Sequence, residues 1–152
     1  MRTAPDEPSA TTSGDNDIVA RRFGEEVWGK GDLQAADDVL AEDFIEHNPA
    51  PGQRPGREGH KQVVQLWRTA FPDLTLTVDD VFAASDRAAL RWTARGTHAA
   101  DLMGMPATGR EVTLTGIDIL RIVDGKIVER WGEFNGIEML QQLGALPSPP
   151  SG

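Results

Sequence analysis

The feature that most constrains the fold is the segment 112–135, VTLTGIDILRIVDGKIVERWGEFN, in which two alternating apolar runs flank Asp124-Gly125. Asp-Gly between such runs is the strongest short-range signal for a β-hairpin, because both central residues of a type I′ turn need positive φ. The segment is therefore predicted to form two antiparallel strands joined by a two-residue turn. Such a turn pairs Val123 with Lys126.

Counting back from this turn places Asp118 opposite Trp131 and Gly116 opposite Glu133. Because side chains alternate along a strand, one face of the hairpin mixes acidic with apolar side chains. That face carries Val112, Leu114, Asp118, Leu120, Ile122, Ile127, Glu129, Trp131, Glu133 and Asn135. A carboxylate among apolar groups is either paired or has its pKa raised by desolvation, so that it exchanges protons near neutral pH. Asp118 is therefore a candidate catalytic residue.

The opposite face of the hairpin is also apolar enough to be the buried one. It carries Ile117, Ile119, Val128 and Phe134. Periodicity alone does not decide which face points inward, and a solvent-exposed strand would also carry Asp and Glu. If this second face instead lies outside the domain, it is too apolar to stand exposed. We then expect a homodimer packed sheet to sheet, with Arg121 and Arg130 at the edge of the interface.

Composition excludes several classes of function. The formal net charge of −9 and the pI near 4.7 argue against a nucleic-acid or anionic-membrane partner. No apolar run could span a bilayer and no signal-peptide core is present, so we expect a cytoplasmic protein. The chain has no cysteine, which excludes disulfides and thiolate chemistry. Its three histidines lack metal-ligand spacing, so we expect neither a metal nor another cofactor.

The first half of the chain is predicted to be mostly helical. Residues 1–16 are rich in Pro, Ser and Thr and poor in large apolar side chains, which is typical of a disordered leader. Helical periodicity follows, interrupted by one short strand and one Pro-rich loop. The predicted elements are helices at 17–29, 33–40 and 57–71, a strand at 43–47 and a loop at 48–56.

The second half has the alternating pattern of strands. Two strands at 74–84 and 87–98 precede the hairpin, and a connector rich in small residues lies at 99–109. A short helix at 136–143 and a disordered tail at 147–152 follow it. One domain over residues 17–146 is therefore expected. Its element order predicts an α+β fold, a curved antiparallel sheet with three N-terminal helices over its concave face.

Aromatic and methionine side chains are candidates for a ligand pocket in this cone. The chain has four Trp and no Tyr, and we expect Trp67 and Trp131 to line a cavity while the other two are structural. The connector 99–109 contains Met103 and Met105, which are too apolar for an ordinary exposed loop. They either line the mouth of a pocket or plug the end of the core.

The histidines differ in their expected roles. His47 stands where the short strand meets the Pro-rich loop, and it either exchanges a proton in catalysis or caps the loop. His98 ends a strand and is expected at the rim of the pocket, whereas His60 lies among polar residues and is expected to be solvated. The remaining candidate substrate contacts are Phe44, Glu133 and Asn135.

Several reaction classes lack their motifs in this chain. There is no GxSxG elbow, no Walker-type GxxxxGK[ST] and no GxGxxG after a strand. General acid/base catalysis by a carboxylate in an apolar pocket needs none of these motifs.

Five segments occur in an order that resembles the SnoaL-like polyketide cyclases, also called ester cyclases, within the NTF2-like cone fold. They are FIEHNPAPGQRPGREGHKQ, AFPDLTLTVDD, GTHAADLMGMPATGREV, GIDILRIVDGKIVERWGEFN and LQQLGAL. The similarity covers about residues 17 to 146. It implies an NTF2-like cone that binds a small aromatic or polyketide molecule, and dimerisation through the sheet is common in that fold.

The resemblance also implies a reaction. Characterised members of the family close the last ring of anthracycline precursors by intramolecular aldol condensation, with an Asp as acid/base and no metal. That Asp lies in a last-strand segment reading His-Trp-Asp, which Arg130, Trp131 and Gly132 match here, and a second family carboxylate matches Asn135. Asp118, in the GIDI segment, is retained.

The sequence is therefore compatible with three functions. The leading expectation is a cyclase of secondary metabolism with Asp118 as its base. Relatives without the last-strand Asp include proteins assigned to polyketide hydroxylation, so a hydroxylase-type relative is the second. A non-catalytic small-molecule-binding protein that kept the cone is the third.

Overall fold

The computed structural model describes residues 7–148 and 150, and its elements follow the predicted order. The N-terminal elements are helix α1 (Glu7–Arg22) with a π-helical continuation (Phe23–Trp28), helix α2 (Leu33–Val39), strand β1 (Leu40–Glu46) and helix α3 (Gly56–Ala70). The C-terminal elements are strands β2 (Thr75–Ala84), β3 (Arg87–Thr97), β4 (Glu111–Val123) and β5 (Lys126–Phe134), and helix α4 (Gly136–Gln142).

Helix α1 begins earlier than predicted. It starts at Glu7 rather than at residue 17, so part of the segment expected to be a disordered leader is helical. A proline in the first turn of a helix removes no intrahelical hydrogen bond, and Pro8 occupies such a position. Residues 1–6 of that leader, and 149, 151 and 152 of the predicted tail, lie outside the described residues.

The five strands form one sheet in the order β1-β5-β4-β3-β2. Strand β1 runs parallel to β5, whereas the other neighbours are antiparallel. The predicted α+β cone is confirmed, but the sheet is mixed rather than wholly antiparallel. A parallel pair needs a long crossover between its strands, and here helix α3 with strands β2 to β4 provides it.

The predicted hairpin turn is present. Asp124 and Gly125 have φ of 50° and 78°, as a type I′ turn requires, and Val123 pairs with Lys126. The register of the hairpin shifts between Ile122 and Arg121. Ile122 pairs with Ile127, whereas Arg121 pairs with Glu129.

This β-bulge makes Val128 an extra residue of β5. Beyond it Asp118 pairs with Gly132 and Ile119 pairs with Trp131. The predicted pairing of Asp118 with Trp131 is therefore wrong, because one inserted residue moves every later side chain of the strand to the other face.

The burial of β4 shows which face points inward. Its buried residues alternate with exposed ones, and Asp118 is among the buried set whereas Ile117 and Ile119 are exposed. The concave face therefore carries Val112, Leu114, Gly116, Asp118, Leu120 and Ile122, which decides between the two faces that periodicity left open. On β5 the predicted faces are reversed beyond the bulge.

Two apolar clusters flank the middle of the domain. One lies between α1, α2, β1 and the sheet and includes Phe23, Leu40 and Phe44. The other includes Phe71 and Leu102 at the far end of the sheet. None of the helices in the described part of the chain is both long and apolar enough to cross a bilayer.

Candidate active site

A cavity of about 360 Å³ lies between the helices and the concave face of the sheet. Most of its wall is apolar, and the aromatic contributors are Phe23, Trp28, Trp67, Trp92 and Phe134. Four of its polar side chains come from different elements and are largely buried: Glu46 of β1, His60 of α3, Asp118 of β4 and Arg130 of β5. A cavity of this size and polarity suits a small organic ligand.

Two glycines on the concave face make room for side chains of neighbouring strands. A Cβ on Gly116 would lie 2.6 Å from Trp92 Cε2, so the glycine allows the indole to lie across β4. A Cβ on Gly132 would lie 2.6 Å from Asp118 Oδ1 and would overlap the guanidinium of Arg130. Glycine in a strand often marks such close approaches, and here both approaches occur in the wall of the cavity.

Arg130 bridges two buried carboxylates. Its Nη2 donates to Asp118 Oδ1 at 2.9 Å, and its Nη1 donates to Glu46 Oε1 at 2.8 Å. The side chains of Asp118 and Glu46 are only 4% and 6% exposed. One guanidinium therefore serves two carboxyl groups. When both members of the carboxylate pair, Asp118 and Glu46, are ionised, one negative charge stays uncompensated by Arg130.

This uncompensated charge affects proton binding at Asp118. Burial raises the pKa of the Asp118 carboxyl, and the hydrogen-bonded Arg130 opposes the rise without cancelling it. The neighbouring carboxylate of Glu46 adds a smaller upward push to the same pKa. A carboxyl group whose pKa moves toward neutrality can both donate and accept a proton during one reaction.

His60 is buried beside the carboxylate pair, so the prediction that it is solvated is wrong. The indole Nε1 of Trp28 donates to its Nε2 at 3.1 Å, and the rings of Phe23 and Phe44 pack around it. Burial, with a smaller contribution from the positive charge of Arg130, lowers the pKa of His60 to about 3. The imidazole is therefore neutral at ordinary pH.

Four of the residues predicted from sequence line the cavity: Asp118, Trp67, Met103 and Glu133. Phe44 does not, because its ring is buried against His60. Asn135 instead caps helix α4, where its Oδ1 accepts from the backbone N–H of Glu138.

The two alternatives predicted for the connector 99–109, lining the pocket or filling the end of the core, both occur, each at a different methionine. Met103 has a positive φ of 47° and lines the cavity, whereas Met105 packs into the core cluster at the end of the sheet. His98 lies behind this connector rather than at the pocket rim. It is fully buried against Phe71, and its Nδ1 lies 3.0 Å from Thr108 Oγ1.

His47 and Trp131 lie together outside the cavity, on the convex side of the sheet. Their rings stack at 4.6 Å and nearly parallel, and the guanidinium of Arg87 lies 5.0 Å from the Trp131 ring. His47 Nε2 is 2.9 Å from Glu129 Oε2. The structure therefore does not bring His47 or Trp131 to Asp118, because the bulge at Val128 turns Trp131 outward.

Three of the four buried polar side chains of the site were absent from the sequence-based candidates: Glu46, His60 and Arg130. Alternation along the short strand β1 places Glu46 on the same side as the apolar Phe44, which is a usable signal. No comparable signal marks Arg130, since its inward direction depends on the bulge. Across the described residues, no three His, Asp or Glu side chains are arranged to hold a metal ion.

Known proteins resemble the chain at the level of sequence. A sequence model of the SnoaL-like polyketide cyclases matches residues 18–143. The aklanonic acid methyl ester cyclase DnrD of Streptomyces peucetius is 42% identical over 59 residues, which are 38% of this chain and 39% of DnrD. The match thus spans about two fifths of the length of that relative.

Solved structures resemble it over most of its length. TsrD of Streptomyces laurentii superposes with a TM-score of 0.80 at 30% identity, covering 88% of this chain and 97% of TsrD. AclR of Streptomyces galilaeus, provisionally named a hydroxylase, superposes with a TM-score of 0.73 at 30% identity, covering 93% and 86% of the two chains. Since the family model matches most of the domain, the chain belongs to the SnoaL-like polyketide cyclase family.

Proposed function

We propose that this protein is an enzyme of polyketide metabolism that closes a ring of an aromatic polycyclic substrate by an aldol-type reaction, with Asp118 as its acid/base group. The observation that carries the proposal is a buried carboxyl group of raised pKa in a largely apolar cavity rich in Trp. The name of DnrD, a cyclase, supports the same reaction class.

Asp118 is proposed to replace the last-strand Asp of the family. That Asp corresponds to Gly132, which pairs with Asp118 across β4 and β5. A side chain at position 132 would begin 2.6 Å from Asp118 Oδ1. The carboxyl group of Asp118 thus approaches the space that a residue 132 side chain would enter, but it comes from the neighbouring strand.

The proposed reaction needs only proton transfers. The Asp118 carboxylate removes a proton from a carbon next to a carbonyl group, and the C–H electron pair forms an enolate. The enolate carbon attacks a second carbonyl carbon of the same molecule, which forms the new C–C bond and leaves an alkoxide. Protonated Asp118 returns its proton to that alkoxide, so no oxidant or reductant is consumed. Proton transfer by a positioned group contributes roughly 10²–10⁴-fold in rate.

Charge at the cavity favours a neutral substrate. Three carboxylate side chains line it, those of Glu46, Asp118 and Glu133, whereas Arg130 is the one cationic Lys or Arg side chain among the described lining residues. An additional carboxylate on the ligand would meet net repulsion. The esterified substrate named for DnrD has the corresponding carboxyl group capped.

The decisive test is Asp118→Asn, assayed with aklanonic acid methyl ester as the probe. We expect ring closure to fall by about 10²–10⁴-fold, while tryptophan fluorescence reports ligand binding within a few-fold of wild type. Asp43→Asn makes the same chemical change at an exposed carboxylate of β1 that does not line the cavity; it is the matched control and should turn over normally. An Asp118→Asn variant with full activity would show that the acid/base group lies elsewhere.

A hydroxylase-type reaction is the second candidate, favoured by the glycine at position 132 and by the structural similarity to AclR. Hydroxylation inserts an oxygen atom and consumes dioxygen and reducing equivalents, whereas cyclisation consumes neither. Mass spectrometry of the product under air and under anaerobic conditions separates the two. Saturable binding with no product in any condition would instead support a binding protein.

We also propose a homodimer that packs through the convex face of the sheet. The residues Phe82, Ala89, Ile119 and Trp131 pair across β2, β3, β4 and β5 and form one continuous row on that face. Phe82 and Ile119 are 70% and 39% exposed, which is unfavourable for a row of apolar side chains. Phe134 and Arg130, expected at this interface from sequence, point into the cavity instead.

A further inference from the structure

Three residues other than glycine have a positive φ in the described part of the chain: Ser85 at 56°, Met103 at 47° and Asp124 at 50°. A residue with a Cβ is strained in this left-handed region, and Asn and Asp tolerate it better than most. Ser85 and Asp124 have short polar side chains and lie in the turns that join β2 to β3 and β4 to β5. Met103 is the exception, because its side chain is long and apolar.

The turn at Met103 needs this backbone conformation but not this side chain. Met103 and Gly104, whose φ is 89°, lie between Leu102 and Met105. The backbone N–H groups of Leu102 and Met105 each donate to the carbonyl of the other at 2.9 Å, which closes a two-residue turn. When both central residues of such a turn have positive φ, Asn-Gly or Asp-Gly is the least strained choice. The turn alone therefore favours Asn over Met at position 103.

Packing in the core does not account for Met103 either. Leu102 and Met105, on the two sides of the turn, pack into the apolar cluster that includes Phe71. Met103 belongs to neither apolar cluster and is 47% exposed. Its side chain instead forms part of the cavity wall where that wall is exposed, as Phe134 also does. A bound ligand would therefore contact the side chain of this strained residue.

Met103 and Asp118 lie at differently exposed parts of the same cavity. Asp118 is only 3% exposed, whereas nearly half of Met103 is exposed. A ligand whose reacting carbon reaches Asp118 extends from there toward the exposed part of the wall, so the part near Met103 is remote from the reaction. Methionine packs favourably on aromatic rings and adapts to their shape. The contact that suits Met103 is thus an aromatic ring that does not react.

We propose that Met103 is a specificity-determining residue of the cavity: its side chain contacts an aromatic ring of the substrate remote from the reacting carbon, and the strained backbone at this position is kept for that contact. The inference rests on the proposed aromatic polycyclic substrate. Residues that serve ligand binding are often retained at the expense of stability. Replacing Met103 should therefore change stability and ligand affinity in opposite directions.

The test is Met103→Asn in the full chain, measured by thermal unfolding without ligand and by fluorescence titration with aklanonic acid methyl ester. Every protein in the series carries Asp118→Asn, so that the ligand is not consumed. Asn keeps the turn and relieves its strain, so the Tm should rise by about 2–4 °C. Loss of the apolar contact should weaken ligand binding by about five-fold or more.

Two further variants separate the side chain of Met103 from its backbone. Met103→Leu keeps a long apolar side chain in the same backbone conformation, so it should recover most of the affinity without the rise in Tm. Ser85→Asn is the matched control, since Ser85 also has a positive φ in a turn but does not line the cavity. Its affinity should be unchanged. A loss of affinity in Ser85→Asn equal to that in Met103→Asn would overturn the proposal, because any altered turn would then weaken binding.

The remaining outcomes distinguish this inference from the proposed function. A Met103→Asn protein of lower Tm would show that the side chain stabilises the fold, and it would overturn the inference. Unchanged affinity in Met103→Asn would overturn it as well and leave the proposed function intact. A reference protein that does not bind the ester at all would count against the aromatic substrate and hence against both. Because the titration measures binding and not turnover, its result is independent of whether Asp118→Asn abolishes ring closure.

Discussion

Asp118 and Gly132 face each other across β4 and β5 on the concave side of the sheet, and one residue along each strand Ile119 and Trp131 face each other on the convex side. On the concave side the small residue leaves space, and the long side chain of Arg130 fills it with hydrogen bonds to buried carboxylates. On the convex side the large side chains stay at the surface, where His47 and Arg87 pack against Trp131. The same two strands therefore present a polar buried site and an apolar outer surface.

One backbone feature separates these two surfaces. The bulge at Val128 directs Arg130 inward and Trp131 outward. An unbulged β5 would exchange them, and Asp118 would then face an indole instead of a guanidinium. The comparison shows that the chemistry of the cavity depends on strand register as much as on residue identity.

The largest expected effect concerns the convex face. Ile119→Glu places an unpaired charge in the proposed dimer interface, and we expect association to weaken by about 3 kcal/mol, more than 100-fold. Sedimentation velocity at micromolar concentration measures it. Ile18→Glu is the control, since Ile18 is also an exposed isoleucine but lies on α1. A wild-type protein that sediments as a monomer at high concentration would remove the basis for the proposed interface.

The next effect concerns the concave face. A methyl group on Gly132 would displace the Arg130 guanidinium from Asp118, and we expect Gly132→Ala to lower the free energy of unfolding by about 2 kcal/mol. Urea unfolding gives the value. In Gly136→Ala the new Cβ would meet nothing closer than 3.7 Å, so that variant should be as stable as wild type or slightly more stable. Equal effects at the two glycines would contradict the close packing assigned to Arg130.

Some features of the fold and the site could be predicted from the sequence, and others could not. The Asp124-Gly125 turn, the set of β4 residues that share one face and the α+β fold followed from periodicity and turn chemistry, which act locally, whereas periodicity did not decide which face of β4 points inward. The direction of Arg130 did not follow either, because a bulge has no residue signature in this strand. His60 was misassigned for a related reason: its polar neighbours in sequence point away from the ring, and its burial depends on Phe23, Trp28 and Phe44, which come from other elements.

A further effect is expected in the pH dependence of stability. Burial lowers the folded-state pKa of His60 to about 3, below its unfolded value near 6.5. Between these two pKa values, His60 is therefore protonated in the unfolded chain and neutral in the folded chain. The contribution of His60 is fully present above about pH 6.5 and is lost as the pH falls toward 3, with a slope of about 1.4 kcal/mol per pH unit.

The measurement is urea unfolding between pH 6.5 and pH 4.5, with and without His60→Phe. Both proteins should carry Asp118→Asn, because the raised pKa of Asp118 acts with the opposite sign, its stabilising effect being lost as pH rises. The chain with His60 should lose stability more steeply on acidification. Parallel curves would mean that the buried imidazole accepts a proton in the folded state.

The smallest expected effect contrasts two tryptophans on the two faces. Trp67 lines the cavity and stacks on Phe71, whereas Trp131 stacks on His47 outside it. Trp131→Ala should lower the free energy of unfolding by about 1 kcal/mol, from the lost stacking with His47 and Arg87, and ligand affinity should stay within two-fold of wild type. Trp67→Ala removes part of the cavity wall, so its affinity for the same aromatic probe should fall by about ten-fold or more. Fluorescence titration, read through the tryptophans left in each variant, compares the two. An equal loss of affinity in Trp131→Ala would mean that ligands also bind on the convex side. The assignment of ligand binding to the concave face and of dimerisation to the convex face would then be wrong.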